Sequence, residues 1–185
     1  GGVRFHEGVS EANLTTLAAR ILVKCAANGL PHGGAAGGVR VDPKTLSILE
    51  HKALAQAYVA AYGDVIGENK DILSPDLGTN ARTMAWMSIQ LNRQRRLFEP
   101  GGINGKPIAL GGVQGRPGAT AKGARIILER LMAFRNRGLK GATAAVQGFG
   151  AAGGSLALEL AQNGVRIVAV SDSSGGWHAP KGLDI

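Results

Sequence analysis

The chain has 185 residues, 44% hydrophobic and 18% charged, with 29 glycines and one cysteine. This composition excludes a disordered polymer and a disulfide or cysteine-zinc scaffold, and the absence of a Gly-X-Y period excludes collagen. No apolar run approaches the ~18 residues of a membrane span, and although 21 Lys and Arg against 13 Asp and Glu give a formal charge of +8, the basic residues are scattered and their one tight run, Arg93, Arg95 and Arg96, has no aromatic interleaving, so nucleic acid is not the expected partner.

Residues 3–6 read as a short strand. Behind Ser10, placed as an N-cap, Leu14, Leu17, Ala18, Ile21, Leu22 and Cys25 recur at helical spacing, and Gly29 ends the helix. Lys24 lies at the edge of that apolar stripe; spacing alone favours a buried stem with a solvated ammonium over an ammonium turned into a pocket. Cys25 is central in the stripe and is expected in the core.

Residues 33–38 carry four glycines, read either as a flexible turn or as backbone that approaches a ligand closely. A strand at 39–41 follows, then a helix over 45–62 with Leu46, Leu49, Leu54, Ala57 and Tyr58 inward. Residues 71–80 form a Pro- and Gly-punctuated loop in which Asp76 could be a turn residue, and Thr79 or Asn80 caps a helix through Trp86 to Arg93. Seven glycines and two prolines between 101 and 118 predict an irregular loop. A helix over 120–137 is expected to turn Ile126, Ile127, Leu131 and Phe134 inward.

The last third holds the strongest motif. A strand at 144–147 feeds Gly148-Phe149-Gly150-Ala151-Ala152-Gly153, a helix runs to Gly164, and a second strand at 165–170 ends at Asp172, 19 residues after Gly153. A G-x-G-x-x-G alone is weak, but between strand and helix, with an acid at this offset, it reads as the dinucleotide fingerprint in preference to a βαβ unit with only a structural role. Gly148 permits the turn, Gly150 lets backbone approach a pyrophosphate, and Gly153 allows close helix–strand packing. Asp172 accepts from ribose hydroxyls and favours NAD, because a carboxylate repels a 2′-phosphate.

Taken in order, Gly1-Gly2-Val3-Arg4-Phe5, Lys24-Cys25-Ala26, Pro31-His32-Gly33-Gly34, residues 71–80, Met84-Ala85-Trp86, Gly105-Lys106-Pro107-Ile108, Gly115-Arg116, Ala119-Thr120 and residues 146–150 resemble the glutamate dehydrogenases, over essentially the whole chain and better than the leucine and phenylalanine enzymes. The resemblance implies an α/β fold: a substrate and dimerisation domain of the amino-acid dehydrogenase type over residues 1–115, followed over 116–185 by the start of an NAD(P)-binding Rossmann domain, its first βαβ unit. It implies less than half of a family chain, and with no methionine ahead of Gly1 the sequence is expected to be part of a longer one.

The family reaction is reversible oxidative deamination of L-glutamate to 2-oxoglutarate and ammonia, with NAD or NADP, in homo-oligomers, commonly hexamers. Cytoplasm is the expected compartment, mitochondria the other that the family uses. By resemblance Lys24 holds a substrate carboxylate, Asp76 moves protons to and from the amino nitrogen, Arg116 and Thr120 lie near the cofactor, and Gly148, Phe149, Gly150, Gly153 and Asp172 bind its dinucleotide part. The family's glycine loop reads Gly-Gly-x-Lys-Gly-Gly, and that catalytic lysine position is Ala36 here, whose methyl group can neither give a proton nor carry charge. A second substrate lysine of the family would precede Gly1, and Ala121 and Val113 stand where glycine and serine are usual. Two expectations follow: an enzyme impaired at Ala36, or a catalytically silent chain that associates with full-length homologues.

Overall fold

The structure, a computed structural model, describes residues 1–185. Two compact units divide it, residues 1–114 and 115–185, each with its own hydrophobic core. The whole is mixed α/β, with one parallel sheet and one in which a parallel pair carries an antiparallel third strand, and no helix is long and apolar enough to cross a membrane.

In the first unit β1 (Gly2–Phe5), α1 (Glu11–Ala27), β2 (Gly37–Val39), α2 (Ile48–Tyr62), β3 (Ser74–Pro75) and α3 (Ala81–Arg95) are followed by a short 3₁₀ turn, Ile108–Leu110. The three strands form a parallel sheet in the order β2-β1-β3. Period-two alternation along β1 buries Val3 and Phe5, which meet Ala55 and Val59 of α2 and Met84, Met87 and Leu91 of α3 in one core. Ser10 caps α1 through Asn13 N–H, and α1 ends at Asn28 with Gly29 in the left-handed region. Asn80, rather than Thr79, caps α3 by accepting from Arg82 and Thr83 N–H.

Several expectations are corrected here. The second strand lies at Gly37–Val39, not 39–41, and includes loop glycines. A Cβ on Gly37 would fall on the Tyr58 hydroxyl and one on Gly38 against Arg4 O, so only glycine brings β2 this close. β3 emerges inside the predicted loop 71–80. Helix α2 starts at Ile48, where Ser47 and Glu50 form a capping box, and its buried side is Ala55 and Val59 with Leu54 and Tyr58 against them, while Leu49 is 76% exposed and Ala57 is exposed. A helix rich in Ala and apolar residues all round does not announce its inner face. Cys25 is half-buried, and no residue of α1 is fully buried.

The second unit contains α4 (Arg116–Phe134), β4 (Thr143–Gln147), α5 (Ala151–Gln162), β5 (Arg166–Asp172) and β6 (Gly175–His178). β4 and β5 are parallel around α5, the βαβ unit expected. β6, which was not expected, returns antiparallel on β5 after a two-residue turn. The irregular stretch predicted to 118 stops sooner, because Arg116, Pro117 and Gly118 are helical and proline is accommodated in a first turn, where its missing N–H has no helical partner to lose. The predicted inner face of α4 is also wrong: Ile126, Ile127, Leu131 and Phe134 are exposed, Phe134 by 85%. Ala121 is buried instead, Leu128 packs on the core of Ala157, Leu160, Val165 and Ile167, and Arg125 reaches Glu159 of α5. This helix is apolar on more than one side, and α5 meets the side its spacing did not favour.

Candidate functional site

The first unit holds a cleft of about 650 Å³ whose lining includes Lys24, His32, Gly33, Gly34, Asp71 and Asn104. The last turn of α1 delivers Lys24, a cation where the helix dipole favours one, and Asn28 Nδ2 donates to Lys24 O at 2.8 Å. Lys24 is exposed on this cleft rather than buried. The glycine loop reaches the same cleft because it crosses α1 at contact distance: a Cβ on Gly34 would overlap Ala18 O.

Ala36 does not line the Lys24 cleft. It lines two others, one of about 410 Å³ against Ser10, Leu14 and Ala18, the other of about 280 Å³ with Tyr58, Tyr62 and Asp71. Asp71 borders both the latter and the Lys24 cleft. Burial, with Tyr62 and Asp71 adding to it, pushes the Tyr58 hydroxyl up to about 12.

Asp76 directly follows β3 and lines none of these three clefts. Its carboxylate accepts from Arg4 of β1, Nε to Oδ2 at 3.1 Å and Nη2 to Oδ1 at 3.3 Å. Its own N–H donates to Thr79 Oγ1 at 2.8 Å, and that hydroxyl donates to Val3 O at 2.8 Å, so the loop is tied twice to β1. Arg4 was not singled out from the sequence; its signal was a charged residue between the inward Val3 and Phe5 of one strand. Lys106 was missed as well. It is buried in the Gly- and Pro-rich loop, donates to the carbonyls of Pro100 and Ile103, and has its pKa pushed down by that burial.

In the second unit the glycine turn leaves β4 and doubles back on β5: the N–H groups of Gly148 and Phe149 both donate to Ser171 O, at 2.8 and 3.0 Å. Gly148 has φ of 90°, which favours glycine. A Cβ on Gly153 would overlap Gly148 O, so the third glycine is what lets α5 seat against the turn. Gly150 is the N-cap of α5 and offers no side-chain acceptor, which leaves the first-turn amides free for an anion.

Asp172 ends β5, and its Oδ1 accepts from Ser174 N–H at 2.7 Å and Ser174 Oγ at 2.5 Å. These bonds, the hydroxyl first, hold its pKa below the usual aspartate value. Phe149, Asp172 and Trp177 share a cleft of about 470 Å³. Uncapped amides, a contact-distance turn and an ionised acceptor fit the dinucleotide part of a nicotinamide cofactor. Arg116 and Thr120 stand at the start of α4, half-buried and exposed respectively, and line neither this cleft nor that of Lys24.

Known proteins share this layout. Residues 1–93 match the model of the Glu/Leu/Phe/Val dehydrogenase dimerisation domain and residues 111–185 that of the Glutamate/Leucine/Phenylalanine/Valine dehydrogenase domain. Over its full length the chain is 42% identical to the catabolic NAD-specific glutamate dehydrogenase of Bacillus subtilis and 44% identical to an NAD-specific glutamate dehydrogenase of Staphylococcus aureus, spanning 44% and 45% of those proteins. The hetero-hexameric glutamate dehydrogenase of Thermus thermophilus, solved in a Leu-bound form, superposes with a TM-score of 0.96 at 44% identity, matching all of this chain and 44% of that one. The glutamate dehydrogenase of Peptoniphilus asaccharolyticus gives 0.82 at 31% identity, over all of this chain and 48% of that one. The chain thus spans less than half the length of these relatives. A parallel three-stranded unit with a lysine cleft, then a fingerprint βαβ, each matched in chain order by its own family model, place the chain in the Glu/Leu/Phe/Val dehydrogenase family.

Proposed function

We propose that this chain carries part of the site of an NAD-dependent glutamate dehydrogenase, in which L-glutamate is reversibly deaminated to 2-oxoglutarate and ammonia. Residues 1–115 serve as the substrate and oligomerisation domain and 116–185 as the start of the nucleotide-binding domain. The observation that carries the reading is the shared cleft of Lys24 and the Gly33–Gly34 loop, a cation beside open backbone that suits a carboxylate substrate. The NAD specificity of the Bacillus and Staphylococcus relatives supports the cofactor.

A bound nicotinamide would supply the acceptor for a hydride leaving the substrate Cα. The protein's part is to bind, orient and move protons. Lys24 anchors one substrate carboxylate by a charge-assisted hydrogen bond. Asp76, oriented by Arg4, takes or returns a proton at the amino nitrogen. Backbone amides at the start of α5 hold the pyrophosphate and Asp172 takes ribose hydroxyls, while Arg116 and Thr120, which lie outside that cleft, are assigned to the cofactor by resemblance to the family alone.

Ala36 leaves the site without the acid–base cation of the family loop, and such groups contribute ~10²–10⁴-fold in rate. Glutamate-dependent NAD reduction by this chain is therefore expected far below that of an intact family enzyme; comparable turnover refutes the impairment. In a version long enough to complete both domains, Ala36→Lys raises the rate, and no gain there removes the role assigned to the position. Ala36 also favours a second reading, a catalytically silent chain that assembles with full-length homologues, and the hetero-hexameric Thermus thermophilus enzyme supports mixed assembly. Co-expression with an intact homologue and size-exclusion chromatography test it; a chain that never co-elutes ends that reading.

A further inference from the structure

The cleft on the β5–β6 hairpin contains more than the fingerprint explains. Its walls are apolar and aromatic, Phe149 from the glycine turn, Val170 from β5, Trp177 from β6 and Leu183 beyond it, and the only charged side chains on it are Asp172 and Asp184. No lysine or arginine lines it, in a chain of net charge +8. Register explains the gathering: Val170 pairs directly with Trp177 and Asp172 with Gly175, so these positions share a face of the hairpin, and the glycine opposite Asp172 leaves its carboxylate uncovered. Trp177 is 76% exposed and Phe149 37%, large aromatic surfaces left open beside an ionised acceptor. The two hydrogen bonds from Ser174 fall on Oδ1, and the carboxylate remains exposed to a ligand.

An occupant matched to these walls is flat, offers hydroxyl or amino donors, and carries no negative charge at this end. We propose that Trp177 and Asp184 are specificity-determining residues of the cofactor site: Trp177 stacks on the purine base of an adenosine, and Asp184, with Asp172, rejects a ribose 2′-phosphate. The proposal rests on the cofactor reading above and adds two residues that the glycine fingerprint does not contain. Base–aromatic stacking contributes roughly 5- to 150-fold in affinity per base. Two side-chain carboxylates with no cationic side chain beside them make a dianionic ribose phosphate costly, since like charges at short range repel in a partly desolvated cleft. Ile185 with its terminal carboxylate lines the cleft as well, so it is the change on Asp184→Asn, not the absolute penalty on a 2′-phosphate, that reads the share of Asp184.

The experiment uses the chain as it exists. It has two tryptophans, Trp86 and Trp177, hence two indole N–H resonances in a ¹H–¹⁵N spectrum, assigned by Trp177→Phe. Titration with adenosine, adenosine 2′-monophosphate, NAD and NADP is expected to move the Trp177 resonance and leave that of Trp86 in place, with the two 2′-phosphorylated ligands weaker by about tenfold or more. Trp177→Leu weakens adenosine about tenfold while Trp177→Phe, which keeps an aromatic face, retains most of the affinity. Asp184→Asn narrows the gap between adenosine and its 2′-monophosphate with little change for adenosine itself. If NAD binds but Trp177→Leu leaves adenosine unaffected, or Asp184→Asn leaves the gap unaltered, the proposal fails and the cofactor reading stands. If the folded wild-type chain binds neither adenosine nor NAD at about 10 mM, a concentration that would nearly saturate even a site of ~1 mM Kd, the cofactor reading fails and takes the proposal with it.

Discussion

Gly153 shows how a single hydrogen-for-methyl exchange decides an element. Any Cβ there meets backbone, the Gly148 carbonyl, which cannot swing away because Gly148 and Phe149 are both pinned to Ser171 O. Gly153→Ala is therefore expected to push α5 off the glycine turn, weaken NAD binding and speed amide exchange in β4 and α5, read by hydrogen exchange. Gly154→Ala is its control, since a Cβ there meets only Phe149 O, at ordinary van der Waals distance; equal effects of the two would discredit the steric account. Asp76 illustrates the opposite kind of residue. Its type and place were legible, but its partner Arg4 lies 72 positions away, and no local pattern links an arginine in one strand to an acid after another.

At the scale of elements, histidine packing ties α2 to its neighbours. The His51 ring lies 5.3 Å from that of Phe5 on β1 and 5.9 Å from that of Trp86 on α3, with Nε2 3.4 Å from Thr83 Oγ1. Burial, and secondarily the Arg82 charge, push its pKa below the usual 6.5. A base with a depressed folded pKa is protonated more readily in the unfolded chain, so its contribution is present in full above about pH 6.5 and is lost as pH falls through the folded value. Urea unfolding between pH 5 and 8 should show the first unit weakening toward pH 5, and His51→Phe should flatten that slope; a wild-type slope unchanged by the substitution rules His51 out. In the second unit Arg125 of α4 donates to Glu159 of α5 at 2.9 Å and pairs with Glu129 one turn along its own helix. Arg125→Met is expected to loosen α4 from α5, seen as faster exchange of their amides at low salt, with a smaller difference at 1 M salt where the ion pairs are screened. Equal protection in variant and wild type would show that apolar packing alone joins the helices.

For the molecule as a whole, two cores with no shared residues define two units. Leu91 is fully buried in the first, so Leu91→Ala is expected to cost about 3 kcal/mol and to lower protection of α2, α3 and β1 amides while β4 and β5 keep theirs. Loss of protection in both units together would mean they unfold as one. The chain's +8 charge belongs to this scale too. It raises association with polyanions in general, and is compatible with a cleft in the second unit whose charged side chains are both acidic, because net charge says nothing of local sign.

What the sequence determined by itself was whatever depends on neighbours in the chain. The βαβ fingerprint was readable because its glycines meet local demands of turn and approach, and Ser10 was readable as a cap, as was the cap of α3 to within Thr79 or Asn80, because a cap bonds to amides two or three residues on. Tertiary structure alone decided the buried sides of α2 and α4, both apolar on several sides, which take their inner face from whichever helix arrives. It alone recruited Gly175, Gly176, Trp177 and His178 as a strand, since two glycines carry little strand preference until β5 offers an edge. Ala36 joins both levels. Its missing ammonium is plain in the sequence, but that it borders clefts other than the one holding Lys24 is a fact of packing.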